Sequence, residues 1–418
     1  MYGEIITIGD ELISGRVVDL NAWYASGRLT ATGLRVIRVT TVGDDQESIS
    51  KALQKALGEA QFVIITGGLG STSDDITNET AASALHRPLC LDEEMYDQIR
   101  TYVAARGLKM SRALEKMAWM PEDSKILRPE DNLCGFSLVE NKVRLYFLPG
   151  VPEQMRYLMD EVVIPDLLLH SPALPTLRHR VLKLYGLNEP GIAEKLRDLP
   201  GKARNVILGF YPVFPENHIT LSLRGDDEPS VTGEIEIVEK EIRSRVGSFI
   251  FATGDQTMQG VVGESLLGNT LTLSVAESCT GGLIGNLLTN VPGSSGYFPG
   301  GMVVYANQAK IDLLRVPKET IDTHGAVSDP VARAMAAGVR RELKTDLGLS
   351  VTGIAGPDGG TAEKPVGTVH IGLATRDETF SGKYRFWGKR EQNKMNSAMM
   401  ALDWVRRYVH GDPFLPGL

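Results

Sequence analysis

The sequence predicts an α/β protein: two three-layer α/β/α domains joined by a small α+β module. Three observations carry that expectation. Short β-branched runs alternate with amphipathic helical stretches before residue 150, and the same alternation returns after residue 257. Residues 177–252 read strand, helix, strand, strand, helix, which is a different order. At 418 residues the chain also exceeds the size at which one core usually divides.

Each element has its own justification. "EIITIG" (4–9) is a β-branched strand, and 20–32 has helical spacing. "LRVIRVTTVG" (34–43) returns to strand, and "DDQESISKALQKALG" (44–58) has the acidic start and closing glycine of a helix. "QFVIITGGLG" (61–70) is a buried strand running into a glycine turn. Helices follow to about residue 120, then strands at 136–140 and 142–148. Strand–helix alternation of this kind predicts parallel strands. Two prolines in "LLLHSPALPTLRHR" (167–180) place a boundary near 171–176. The domains therefore read as 1–170, 177–252 and 257–415. The last contains helix 258–267, strand 270–278, helix 281–290, strand 301–306, a long helix over 328–344 and strand 347–356. Strands near 367–375 and 378–387 precede a final helix over 389–409.

Composition removes several function classes. A net charge of −8 argues against broad nucleic-acid binding, which needs a basic surface. Three cysteines (Cys90, Cys134 and Cys279) without a CxxC form no disulfide framework. The N-terminus is acidic where a signal peptide is basic, and no stretch reaches the ~18 apolar residues of a membrane span. The chain reads as soluble and cytoplasmic, with neither nucleic-acid nor membrane partners.

Chemistry concentrates at strand ends. In "TGGLGSTSDDITNE" (66–79), Gly67, Gly68 and Gly70 let backbone amides approach an anion, and a helix start adds partial positive charge. Asp74 and Asp75 suit a divalent ion bridging phosphates. Asp44 and Asp45 form a second acid pair, and "GDEL" (9–12) is a further polar turn. All four aspartates also suit helix caps, although capping does not call for three glycines.

"SVAESCTGGLIGN" (274–286) sets Ser278, Cys279 and Thr280 before two glycines and an apolar run. Two readings stand here, a helix start made of ordinary cap residues or a catalytic turn. Tyr305 and Lys310 follow the next strand and should emerge at the same sheet edge, Thr352 and a glycine loop follow another, and Lys389 and Arg390 open the final helix. Ser328 reads as the cap of the long helix. Together these groups suit attack on a carbonyl carried by a phosphorylated substrate. A Ser–Lys pair needs neutral lysine, a shift from about 10.4 to near 7 worth ~4–5 kcal/mol, which burial or a neighbouring cation such as Arg390 can supply. Cys279 would want a histidine partner, and none lies near it in sequence, so it reads as a small buried residue. "VIITGGLG" and "LSVTGIAG" echo each other as strands ending Thr-Gly-x-x-Gly.

The stretches "TIGDELISGRVVDLNAWYASGRL", "VTTVGDDQESI" and "ITGGLGSTSDDIT" resemble the N-terminal domain of the CinA (competence/damage-inducible) family, which has the molybdopterin-binding fold. The resemblance implies a metal-dependent ADP-ribose pyrophosphatase, with Asp44 and Asp75 in its active site. Mg, Mn or Co would be held by Asp44, Asp74 and Asp75, and substrate by Gly67, Gly68, Gly70 and Thr72. The family's Gly-Pro-Thr reads Gly70-Ser71-Thr72 here, which should loosen the loop. Residues 177–252 resemble the family's KH-type domain. The nearest candidate for an RNA-clamping GxxG loop, "GKAR" (201–204), lacks its second glycine, so a spacer or dimerisation element is expected, and the chain as a homodimer.

"AESCTGG", "GSSGYFPGGMVVYANQAKIDLLRVP", "HGAVSDPVARAMA" and "TGIAGPDGGTAEKPVGTVHIGLA" resemble the CinA C-terminal domain, which is similar to nicotinamide mononucleotide (NMN) deamidases. That resemblance implies Ser278 as nucleophile, Lys310 as base and Tyr305 as proton relay or orienter, with no cofactor. Thr280, Thr352, Gly353 and Arg390 would bind substrate, the arginine at its phosphate, with Gly281 and Gly282 amides as oxyanion donors. The rival expectations are a DNA-uptake or repair accessory, and a pterin-binding protein without hydrolase activity.

Overall fold

The computed structural model describes residues 1–127, 135–171, 176–199 and 205–415. "GKAR" (201–204) and Cys134 lie outside the described residues. The chain forms two compact units: Met1–Arg178 with Arg224–Val231, and His179–Leu223 with Thr232–Leu418.

In the first unit, β1 (Tyr2–Ile8), β2 (Arg35–Val42) and β3 (Phe62–Thr66) pair in parallel. A separate antiparallel ribbon joins β4 (Leu89–Leu91) to β5 (Trp119–Pro121). The main sheet is completed by β6 (Lys125–Ile126), β7 (Phe136–Glu140) and β8 (Val143–Leu148), in the order β2-β1-β3-β8-β7-β6. Alternate residues of the central strands feed opposite cores. Ile5, Phe62 and Ile64 meet Leu29 of the helix Leu20–Ala31, while Ile6, Val63 and Ile65 meet Leu53 of the helix Gln46–Glu59. Both faces of β3 are therefore covered, which explains its unbroken apolar run.

The all-parallel expectation fails at β7, which pairs antiparallel with both β8 and β6. Asn141 and Lys142 both have positive φ, 49° and 68°, and form the two-residue turn between β7 and β8. A turn that tight can only return the chain antiparallel.

In the second unit, β9 (Thr176–Leu184, its first three residues belonging to the other unit), β10 (Ile207–Val213), β11 (Glu216–Gly225, its last two residues belonging to the other unit) and β12 (Ile250–Thr253) form a sheet in the order β10-β11-β9-β12. The basic Arg178, His179 and Arg180 are engaged locally: Arg178 pairs with Glu228, His179 Nδ1 lies 2.8 Å from Ser222 Oγ, and Arg180 lies 3.3 Å from Glu239.

A five-stranded sheet follows, β14-β13-β15-β16-β17, from β13 (Leu273–Glu277), β14 (Gly300–Val303), β15 (Leu347–Gly353), β16 (Thr368–Ala374) and β17 (Thr379–Arg385). The first three are parallel and the last two antiparallel. Helices Met258–Gly268, Leu283–Thr289 and Arg390–His410 cover one face, and Asn307–Leu314 with Asp329–Leu343 the other. The carboxyl ends of β13, β14 and β15 thus share one edge, where open α/β sheets place ligands. No helix among the described residues is long and apolar enough to cross a membrane.

Candidate active sites

β13 ends at Glu277, and the chain turns at once. Ser278 N–H donates to Val351 O of β15, and Val304 N–H, just past β14, donates to Glu277 O. Left-handed Gly281 (φ 64°) and Gly282 (φ 95°) then redirect the backbone into the helix Leu283–Thr289. This anchored turn holds Ser278 Oγ 3.1 Å from Lys310 Nζ.

Lys310 is only 1% exposed, and Ser278 7%. The lysine comes from the helix Asn307–Leu314 and points back toward the strand ends, where Val304 O at 2.9 Å and Tyr305 O at 3.1 Å flank its Nζ. Burial lowers its pKa below the usual lysine range. A neutral amine has two protons and one lone pair. The two carbonyls accept both protons, so the lone pair is left facing the Ser278 hydroxyl.

Cys279 is also buried, and burial pushes its thiol up to about 12, which removes the thiolate at neutral pH. Its Sγ packs against Gly353, where an added Cβ would lie 3.1 Å from the sulfur and 2.7 Å from Val369. Gly353 is therefore a position with no room for a side chain.

Other site residues divide in two groups. Arg390 stays exposed at the final helix start, and its guanidinium joins Gly356 O at 2.7 Å to the Tyr305 hydroxyl at 3.2 Å. Tyr305 reaches Lys310 through its main-chain carbonyl, and its phenol is paired with Arg390. Thr352 is fully buried and donates to Ala326 O at 2.8 Å, so it braces the site from behind and is not placed to touch substrate. Ser328 occupies the cap position, yet its hydroxyl donates to Gly325 O and leaves the helix amides uncapped.

The oxyanion expectation is corrected too. Gly282 N–H donates to Glu277 Oε2 at 2.9 Å, and Gly281 N–H to Ser278 O at 3.2 Å. Among the described residues, the amides of Cys279 and Thr280 donate to no acceptor of another residue, the Cys279 amide facing its own thiol, and Thr280 Oγ1 is buried without a partner. Those two amides flank the nucleophile directly.

In the first unit, a cavity of about 400 Å³ lies at the ends of β1, β2 and β3, lined by Gly67, Gly68 and Gly70 and by the carboxylates Glu11, Asp44, Asp74 and Asp75. Asp44 Oδ2 accepts from Asp10 N–H at 2.8 Å, and Asp44 N–H donates to Asp10 Oδ1 at 3.2 Å. Burial first, then the charges of Asp10, Glu11 and Asp74, raise the Asp44 pKa. Thr72 and the Asp74 amide hold Asp74 below the usual carboxylate range. Asp75 Oδ2 accepts from both Thr72 N–H, at 2.8 Å, and Thr72 Oγ1, at 2.5 Å. That loop is therefore tied by Asp75 where the family's proline is missing. Gly67 N–H is committed to Leu148 O, which removes it from the expected anion cradle. Asp45 caps the helix Gln46–Glu59.

The charged donors in this cavity wall are carboxylate oxygens, which suits a hard cation. However, no group of three or more His, Cys, Asp or Glu among the described residues converges closely enough to form a cage. The expected triad of Asp44, Asp74 and Asp75 is thus corrected to a partial ligand set.

Comparison with known proteins places this architecture. Family models match in order along the chain: "Probable molybdopterin binding domain" at residues 4–169, "Damage-inducible protein CinA KH domain" at 179–252 and "CinA C-terminal domain" at 255–409. A CinA-like protein of Desulfotalea psychrophila is 40% identical over 98% of this chain and 99% of its own length. The chain belongs to the CinA family. Another CinA-like protein, of Syntrophus aciditrophicus, is 42% identical over 97% of each chain. The solved competence/damage-inducible protein of Agrobacterium tumefaciens is 36% identical, covering 37% of this chain and 97% of its own, with a TM-score of 0.35.

Within this CinA-family chain, two residues of the site escaped sequence reasoning. Glu277 is buried, and its carboxylate accepts the amides of Gly282, Ile284 and Gly285 at 2.9–3.1 Å. It caps the helix from outside the usual cap position, and so it fixes the turn that carries Ser278. Its place as a strand's last residue gave no capping signal. Lys394, one helical turn after Arg390, is half-buried beside that turn; an added Cβ on Gly281 would lie 3.7 Å from its Nζ.

Proposed function

We propose that the C-terminal site is a Ser–Lys amidohydrolase acting on NMN. The carrying observation is the buried Lys310 amine set 3.1 Å from Ser278 Oγ, with two carbonyls accepting its protons. In this reading Ser278 Oγ attacks the carboxamide carbon as Lys310 takes the hydroxyl proton. The Cys279 and Thr280 amides stabilise the developing oxyanion. Lys310 then gives its proton to the leaving nitrogen; ammonia departs and an ester on Ser278 remains. Water, deprotonated by the same amine, cleaves that ester to nicotinate mononucleotide and free serine. Lys394 beside the turn and Arg390 at Tyr305 are the cations for the substrate's phosphate in this reading.

The first unit's cavity supports a second reading, an ADP-ribose pyrophosphatase. Its four carboxylates and absence of a lining cation favour a pyrophosphate that enters with a divalent metal. Asp44 and Asp74 would hold that ion together with phosphate oxygens, as magnesium sites commonly do. Bound, the ion supplies charge neutralisation at the pyrophosphate.

The two sites predict independent losses. Asp44→Ala should stop AMP formation from ADP-ribose while ammonia release from NMN continues at the wild-type rate, and Ser278→Ala should do the opposite. Loss of both activities in either variant contradicts separate sites. Glu277→Ala frees three amides and loosens the nucleophile turn, so kcat for NMN should fall about tenfold or more with KM nearly constant. An equal rise in KM with unchanged kcat would instead place Glu277 in substrate binding.

A further inference from the structure

The first turn of the helix Arg390–His410 grips the glycine loop after β15 with two side chains. Arg390 donates to Gly356 O at 2.7 Å, and Asn393 Nδ2 donates to Ala355 O at 3.0 Å. Residues three apart share a helix face, so this pair reaches two consecutive carbonyls of the loop. Asn393 Nδ2 also donates to Gly388 O at 2.9 Å, just before the helix begins. One amide thus ties loop, helix and the chain entering the helix together.

Asn393 is 1% exposed, and its Oδ1 is buried without a partner. Flipping the amide would set that oxygen against two carbonyls, so its orientation is forced. Folded proteins rarely leave a buried acceptor unpaired, because doing so costs stability. What the arrangement secures is the place of the loop carbonyls relative to the helix start. Arg390 depends on that place. It is exposed on a long rotatable stem, and Gly356 O and the Tyr305 hydroxyl, at 3.2 Å, hold its guanidinium. Gly356 is the residue after Ala355, so loss of the Asn393 bonds would release the carbonyl that orients Arg390.

We propose that Asn393 is a positioning residue for phosphate recognition at the C-terminal site. Nearly enclosed, it acts through Arg390, which it keeps in one orientation before substrate arrives. A guanidinium already oriented loses less freedom on binding, so the gain is in affinity and not in the chemical step. The proposal rests on the NMN reading of this site, in which Arg390 takes the phosphate.

Calorimetric titration of NMN into the full-length Ser278→Ala protein tests this without turnover. Adding Asn393→Ala should weaken NMN binding about tenfold. Adding it to a protein that already carries Arg390→Met should weaken binding no further, because both act through one group. With Ser278 intact, Asn393→Ala should raise KM for NMN by a similar factor and leave kcat within about twofold. Asn393→Ser keeps one donor and should lose less; it supplies the same comparisons if the alanine variant does not fold. No NMN binding, unchanged affinity, losses that add in the Arg390→Met background, or a fall in kcat at constant KM overturns the proposal. Ammonia release by wild type is scored separately. Affinity that depends on Asn393 without ammonia release keeps the positioning role and removes the amidase, and ammonia release with unchanged affinity does the reverse.

Discussion

Lys310→Met is expected to lower kcat for NMN by ~10³-fold while the fold stays at least as stable as wild type. Both halves follow from the same burial. The side chain is enclosed, with two backbone carbonyls and one hydroxyl about its Nζ, so its charged form is penalised by lost hydration. Methionine fills similar volume without that penalty, but it cannot accept the Ser278 proton. The sign of the pH effect follows from linkage. The folded lysine titrates below the unfolded one, so between the two pKa values the unfolded chain binds the extra proton. Wild-type stability should therefore rise with pH across that window, and the rise should vanish in Lys310→Met. Activity should follow the same group, with kcat/KM climbing as Lys310 loses its proton, below the ordinary lysine range. Denaturant midpoints and rate profiles over pH 6–10 check both parts. A variant that loses several kcal/mol while keeping its turnover would show a structural lysine and no base.

The largest stability effect is expected at Asp403→Ala, about 3–5 kcal/mol in unfolding of the second unit. Asp403 is fully buried in the helix Arg390–His410 and pairs with Arg406 at 2.8 Å and Arg407 at 2.6 Å, both nearly enclosed. Arg407 also donates to Ser248 O at 2.6 Å and Pro413 O at 3.0 Å, so it fastens the helix to the chain on either side. Removing the carboxylate leaves Arg407 without its counter-charge and Arg406 with only the more distant Asp412, at 3.7 Å. Urea denaturation followed by tryptophan fluorescence reads the change, since Trp404 is buried one residue away. A loss below ~1 kcal/mol would mean that the carbonyls and solvent already satisfy both arginines.

Legibility in the sequence followed how local the cause was. Hydrophobic period marked the helices at 46–59, 329–343 and 390–410, the first with a closing glycine, because each signal lies within its own element. The antiparallel β7 was missed because its direction is set by the Asn141-Lys142 turn, two residues with no glycine to announce them. Ser278, Lys310, Tyr305 and Arg390 were readable as groups at one sheet edge, and the structure does gather them. The choice of amides was not readable. It depends on Glu277, five to eight residues from the donors it takes, curling back from a strand end. Likewise Thr352 sits in the right motif, yet Ala326 O takes its hydroxyl from a distant segment. Motif position predicted proximity, while packing decided which atoms remain free.

The central claim is that Ser278 and Lys310 together cleave an amide, with Cys279 as packing. Ammonia release from NMN by wild type, Ser278→Ala and Cys279→Ala tests it most directly. Steady release by wild type, release near background by Ser278→Ala and most of the wild-type rate in Cys279→Ala is the predicted result. No ammonia from wild type, or an active Ser278→Ala beside an inactive Cys279→Ala, would contradict it.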